Sequence, residues 1–227
     1  MAATAPITID VVSDVVCPWC YVGSRRLEHA LALVPEVEAE VFWRPFQLDP
    51  TIPPEGRDRR EYMRGKFGSD ERIRQLHDNL VQSTLDAGIP FAFEKIKVAA
   101  NTLDAHRVIR WAGGQGPHLQ EAVVKAVFKA NFEEGRNVGD HAVLTEIAAE
   151  AGMDSTVVAA LLPTEADRDA VRSEIEQAQR MGISGVPCFL LERKYAVMGA
   201  QPSEQLADAI RQVAGAKARG ELVSASQ

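Results

Sequence analysis

The sequence predicts an α/β fold in which a helical block interrupts a mixed strand–helix frame. Three observations support this. Short β-branched or apolar runs lie near the two ends of the chain, at Ile7–Ser13, Val37–Phe42, Phe189–Leu191 and Tyr195–Met198, and read as strands. From Glu61 to about Leu162 the apolar residues instead recur at steps of three and four, the period of amphipathic helices. The opening order of strand, helix and strand closes a parallel pair under the handedness rule. In open sheets of this kind, sites form beyond the carboxyl ends of the strands.

After the first strand, a helix carries Val22, Leu27, Ala30, Leu31 and Val34, and Pro35 stops it, because proline cannot continue a helical ladder. Past the second strand, Asp49–Arg60 is rich in proline and charge and reads as a linker or loop. Ile73, Leu76, Leu80, Val81 and Leu85 then suit a helix ended by Gly88. Asn101 and Thr102 can cap the next, which holds Leu103, Ala105, His106, Ile109 and Arg110. Leu119, Ala122, Val123, Ala126, Val127 and Ala130 give the clearest helical spacing in the chain. The Gly113-Gly114-Gln115-Gly116 run before them lacks the Gly-Lys-Ser/Thr ending of a phosphate loop and follows no strand. It reads as a helix–helix turn. Val143, Leu144, Ile147, Ala148 and Ala151 form a helix closed by Gly152, and Val171, Ile175, Ala178 and Met181 one closed by Gly182. The two closing strands lead to a turn at Gly199 and Pro202, then a last helix on Leu206, Ala209, Ile210 and Val213. The tail from Ala214 is small and polar and reads as frayed.

Composition narrows the function. The 227 residues suit one large domain or two small ones. A net charge of −7 argues against nucleic-acid binding, which needs a basic face. Met1–Pro6 lacks the basic residues and apolar core of a signal peptide. No uncharged apolar run approaches the ~18 residues of a membrane span, so no membrane partner is expected. Three cysteines are too few for a disulfide framework, which suits a reducing compartment. The expected location is cytoplasmic.

The chemistry centres on Cys17-Pro18-Trp19-Cys20, at the junction of the first strand and the first helix. Two cysteines three apart at such a junction read as a dithiol that makes and breaks disulfides. Pro18 fits the first helical position, where its missing N–H would be unpaired anyway. Cys17 then sits where free backbone N–H groups and the positive dipole end favour an anion. In such motifs the first thiol ionises at roughly 3.5–7 rather than ~8.5. Cys20 follows one turn later on the same face and can resolve a mixed disulfide at Cys17. A structural zinc site needs four ligands, and the chain offers only Cys188 besides the pair, with no His-x3–5-His spacing. Two inert buried thiols would not explain the proline or the helix start.

Four stretches together resemble the DsbA-like thioredoxin-fold oxidoreductases, and within them the FrnE-type branch. They are Asp14-Val15-Val16-Cys17-Pro18-Trp19-Cys20-Tyr21-Val22-Gly23, Asn101-Thr102-Leu103-Asp104-Ala105-His106-Arg107, Gly182-Ile183-Ser184-Gly185-Val186-Pro187, and Gly199-Ala200-Gln201-Pro202. The resemblance implies a thioredoxin fold interrupted by a helical insertion domain. Residues 1–48 and 166–215 would form the thioredoxin-like domain, 49–165 the insertion and 216–227 a frayed tail. It also implies a cis Val186–Pro187 bond facing the dithiol, with the Val186 backbone free to pair with an extended substrate. Trp19, Asn101 and His106 become candidates for the groove, as do Phe46 and the Asp49–Pro54 loop.

The sequence departs from the pattern at two places. Trp19 stands where DsbA proper has a thiolate-stabilising His, which implies a less oxidising potential within the roughly −120 to −270 mV that such proteins span. Cys188 follows the proline where a bulky apolar residue or Thr is usual. It reads as a packed core thiol or as a third thiol able to trap Cys17.

The expected activity is thiol–disulfide exchange, extending to isomerisation, on a disulfide-containing protein or a small thiol. Cys17 would attack, Cys20 resolve, and Pro187 with Val186 position the substrate. The redox-active Cys17–Cys20 disulfide would serve without a metal or tightly bound cofactor. Glutathione is a candidate co-substrate, and homodimerisation stays open. Two alternatives remain. One is a glutathione-dependent transferase or isomerase acting on a small molecule, resembling the kappa-class glutathione transferases and 2-hydroxychromene-2-carboxylate isomerases, which generally carry Ser where Cys17 stands. The other is a non-catalytic peptide- or partner-binding module.

Overall fold

A computed structural model describes residues 6–222 of the chain. Its frame begins with β1 (Ile7–Ser13), α1 (Pro18–Ala32) and β2 (Ala39–Pro45). β1 is buried along almost its whole length, as a central strand covered on both faces must be. It pairs in parallel with β2, from Ile7 opposite Ala39 to Ser13 opposite Pro45. On its other side it pairs antiparallel with β5 (Cys188–Leu191), Val12 facing Cys188, and β5 pairs with β6 (Tyr195–Met198). The sheet order is β2–β1–β5–β6. α9 (Ser203–Ala218) packs beside α1.

Between β2 and β5 the chain is mainly helical, apart from a two-residue ladder of β3 (Arg57–Asp58) and β4 (Val98–Ala99). α2 (Arg59–Phe67) and α3 (Asp70–Ser83) precede β4, and α4 (Leu103–Gly113) and α5 (Pro117–Lys129) follow it. The predicted Gly113–Gly116 turn joins α4 to α5, with Pro117 opening α5. α6 (His141–Glu150), α7 (Ser155–Leu161) and α8 (Arg168–Arg180) complete the block. One apolar cluster contains Ile9 and Val11 of β1, Tyr21 of α1, Val123 and Phe128 of α5 and Leu144 of α6. The helices therefore share their core with the sheet.

Two buried polar devices hold this junction. β2 is an edge strand, and Gln120 of α5 takes the place of its missing neighbour. Its Oε1 accepts from the Trp43 N–H at 2.9 Å and its Nε2 donates to the Trp43 carbonyl at 3.2 Å. Arg107 of α4 has no solvent exposure. It donates to the carbonyls of Leu161, Leu162, Thr164 and Ala166 and to Asp104 Oδ1, all at 2.6–3.0 Å. A buried guanidinium needs such complete pairing.

The elements differ from the sequence reading at several points. β2 starts two residues later than Val37 and runs on to Pro45. Arg59 and Arg60, read as linker, open α2, which has no buried residue and hence no apolar stripe to read. Only Ile73 and Leu80 of α3 are buried. Leu76 is 40% exposed, and the helix ends at Ser83, so Leu85, 67% exposed, lies beyond it in a short 3-10 turn, Leu85–Ala87. The last helix runs to Ala218, past the Ala214 where fraying was expected. Residues 223–227 of the expected tail lie outside the described residues.

Candidate active site

The site forms where β1 ends and α1 begins. The Asp14 carbonyl accepts from the Cys17 N–H at 3.0 Å, and the Cys17 carbonyl accepts from the N–H groups of Cys20 and Tyr21. Cys17 is the extended N-cap residue, Pro18 opens the helix, and no acidic residue lies in the first turn. The positive helix end is therefore not offset beside the sulfur. Cys17, Cys20 and Cys188 are all free thiols. Cys20 is the deeper of the pair, 1% exposed against 5%. Burial pushes the Cys20 thiol well above the ordinary range, and its hydrogen bond with Cys17 acts in the same direction.

The Cys17 thiol faces the Val186 carbonyl at 3.9 Å, and the Val186–Pro187 bond is cis. Cys17 does not cap the helix amides through its side chain in this thiol form. The Val186 N–H makes no hydrogen bond among the described residues, which leaves it free for a partner strand. Gly23 of α1 seats the proline. A Cβ there would stand 2.9 Å from Pro187 Cγ and 3.1 Å from Phe189 Cζ. The sequence gives no local sign of this, because Gly23 lies mid-helix and its reason is a close approach across the fold.

Cys17, Pro18, Trp19 and Val186 open onto a cavity of about 670 Å³. Its far elements are α2 and α3. Arg59, Tyr62, Met63 and Lys66 contribute from one face of α2, and Leu76, His77, Leu80 and Ser83 from one face of α3. Asp49 and Ile52 of the candidate Asp49–Pro54 loop, with Leu48 before it, add the loop wall. Trp19 is 40% exposed at the mouth. The α2 residues escaped sequence reasoning, although their spacing of three, one and three is helical.

Asn101 and His106 do not line this cavity. Asn101 Nδ2 donates to the Ile52 carbonyl at 2.6 Å and its Oδ1 accepts from the Leu103 N–H. It fixes the loop rather than facing the groove. His106 is buried, with Nε2 2.9 Å from the Phe46 carbonyl oxygen and 3.6 Å from Asp14 Oδ1. Its ring nitrogen is taken up by the protein itself. Phe46 is likewise interior, in a small cluster with Val12, Ala178, Ile183 and Cys188. Cys188 therefore sits as a core thiol, raised above its ordinary value by burial. Asp14 is the site residue that sequence reasoning passed over. It is 1% exposed, accepts from the Leu48 N–H through Oδ2, and leaves Oδ1 without a hydrogen bond beside the dithiol.

Comparisons with known proteins bear on the family and the fold. Residues 8–211 match the family described as the DSBA-like thioredoxin domain. The YwbO protein of Bacillus subtilis (strain 168) is 28% identical over 194 residues, covering 82% of this chain and 86% of its own. The crystal structure of a "probable DsbA oxidoreductase", SCO1869 of Streptomyces coelicolor, superposes with a TM-score of 0.84 at 34% identity, over 97% of this chain and 93% of that one. The cytosolic disulfide reductase DsbM of Pseudomonas aeruginosa shares the fold at a TM-score of 0.59 and 20% identity, over 95% of this chain and 100% of its own.

Proposed function

The chain belongs to the DSBA-like thioredoxin domain family, and we propose that it exchanges thiols and disulfides, with Cys17 as attacking thiol and Cys20 as resolving thiol. The observation that carries this reading is the Cys17 sulfur at the start of α1, turned to the Val186 carbonyl at 3.9 Å and opening on the cavity.

The Cys17 thiolate attacks one sulfur of a substrate disulfide. A Cys17–substrate bond forms, the substrate S–S bond breaks, and the displaced thiolate takes up a proton. Cys20 then gives up its proton and attacks the Cys17 sulfur. The Cys17–Cys20 bond forms and the second substrate thiolate leaves, so two electrons pass from the dithiol to the substrate. The same steps run backwards oxidise a substrate. If a substrate thiol intervenes before Cys20, the result is isomerisation. Pro187 and Val186 hold an extended substrate across the sulfur, the free Val186 N–H acting as a strand-addition donor.

The direction follows the compartment. A three-cysteine composition suits a reducing cytoplasm, where the glutathione poise keeps such a pair reduced. Glutathione then regenerates the dithiol. The intact cysteine pair disfavours a glutathione transferase.

Insulin reduction and refolding of a scrambled disulfide protein test the assignment. Cys17→Ser should abolish both. Cys20→Ser should accumulate a mixed disulfide at Cys17, visible as a mass adduct. Full activity in Cys17→Ser would rule the mechanism out.

A further inference from the structure

The cavity beside Cys17 has a charge pattern that thiol exchange by itself does not explain. α2 has no buried residue, so nothing in the core holds its inner face. That face presents Arg59, Tyr62, Met63 and Lys66 to the cavity. The Arg59 side chain makes no hydrogen bond or ion pair among the described residues. Its backbone N–H is tied to the Lys97 carbonyl at 2.9 Å, which fixes the start of the helix beneath it. Burial lowers the guanidinium from its ordinary value. Burial, and then the Arg59 charge, lower the His77 ring. Arg59 is half-buried in the cavity wall without a protein partner among the described residues, which suits it to take up an anion there.

The cavity's own carboxylates do not supply that anion. Asp49 accepts from both the N–H and the hydroxyl of Thr51, at 3.0 and 2.6 Å. Asp14 accepts from the Leu48 N–H and lies beside His106. Apolar side chains make up much of the rest of the wall, among them Met63, Leu80 and Phe93, with Trp19, Phe67 and Leu76 exposed at 37–40%, beside polar Asn79, Ser83 and Thr102. A space of about 670 Å³ lies in the range of small-molecule sites.

We propose that this cavity takes small apolar, preferably aromatic, sulfur compounds that carry a carboxylate, the acid group pairing with Arg59 and the sulfur meeting Cys17. The inference rests on Cys17 as the attacking thiol. It adds a class of substrate held by side chains to the extended chains held by the Val186 backbone. Arg59 is a specificity residue in this role, bonding the carboxylate in a fork, and Lys66 adds positive charge to the same wall from about two turns further along α2.

The experiment is single-turnover stopped flow on the pre-reduced full chain, with Cys17→Ser as the blank. The first probe is dithiobis(nitrobenzoate), an aromatic disulfide with a carboxylate on each ring. The second is dithiodipyridine, a neutral aromatic disulfide. With either probe, Cys17 displaces one aryl thiolate and Cys20 the other, so two electrons pass from the dithiol to the probe and no further reductant is needed. Arg59→Gln should slow the carboxylate probe about tenfold, the worth of one charge-assisted pair, and change the neutral probe by less than about twofold. Arg59→Lys should recover part of the loss. Arg57→Gln removes the same charge two residues away, outside the cavity wall, and should leave both rates unchanged. Equal slowing of both probes by Arg59→Gln, no slowing, or the same selective loss in Arg57→Gln overturns the inference. A wild-type chain that reacts with neither probe at Cys17 overturns the dithiol assignment itself.

Discussion

At Gly23 the space for one methyl group decides how closely α1 and Pro187 approach. The Cβ of an alanine would stand 2.9 Å from the Pro187 ring and 3.1 Å from Phe189. Neither neighbour is the end of a flexible chain, so the proline or the helix must move. Gly23→Ala is expected to lower stability by about 1–3 kcal/mol, the range for overpacking. It should also slow exchange, because the Val186 carbonyl opposite Cys17 moves with Pro187. Urea unfolding and an insulin-reduction assay check this. Alanine tolerated without loss in either would show that the approach is not tight. Asp14 and Cys20 belong to the same scale. Burial holds Cys20 as a thiol, which together with the helix start supports the proposal of Cys17 as the attacking partner.

At the scale of the element, the edge of β2 shows how a helix can stand in for a strand. The Gln120 amide meets both backbone groups of Trp43, which would otherwise be unpaired where α5 covers them. Gln120→Leu keeps the approximate volume and removes both bonds. The expected loss is about 1–3 kcal/mol, the penalty for leaving buried backbone groups unsatisfied. A denaturation midpoint within error of the wild type would mean that water or a local shift satisfies Trp43. The contrast with α2 is instructive. α5 is fixed to the sheet by Gln120, Val123, Val127 and Phe128. α2 has no buried residue and is held by the Arg59 N–H bond to Lys97, the Asp58 cap and surface pairs of Arg60 and Arg64 with Asp70.

Over the whole molecule, stability depends on a junction between distant segments. Arg107 gathers the carbonyls of residues 161–166, and Asp104 beside it also meets His141 at 2.8 Å and Arg168 at 3.2 Å. Arg107→Met should destabilise the fold by about 3–5 kcal/mol, as breaking a buried charged network does. The pH dependence has a definite sign. Burial by itself would raise the Asp104 carboxyl, but the bonds from Arg107 and His141 and the charge of Arg168 hold it below its ordinary value. A lowered carboxyl contributes fully above its unfolded value of about 3.9 and loses that contribution as pH falls toward the lowered one. The wild-type chain should therefore lose stability through this cluster only below about pH 4, and Arg107→Met should show a shallower acid limb. Thermal unfolding of both chains between acid and neutral pH reads this directly.

The linear sequence determined the parts that depend on near neighbours. The period of Ile7–Ser13, the exact run of Tyr195–Met198, the helix–helix turn at Gly113–Gly116 and the Cys17–Cys20 dithiol at a helix start could all be read locally. Each follows from spacing or from the fixed geometry of proline and glycine. Resemblance carried the reading further, to the Val186–Pro187 bond facing Cys17. Only the tertiary structure decided which polar side chains were already committed. Asn101 and His106 have the right chemistry for a groove, but their nitrogens meet Ile52 and Phe46. Arg59 lay in a segment that read as linker, and it stands without a partner in the cavity wall. Hydrogen bonds between residues fifty positions apart leave no period in the chain, so a side chain's availability is a property of the fold.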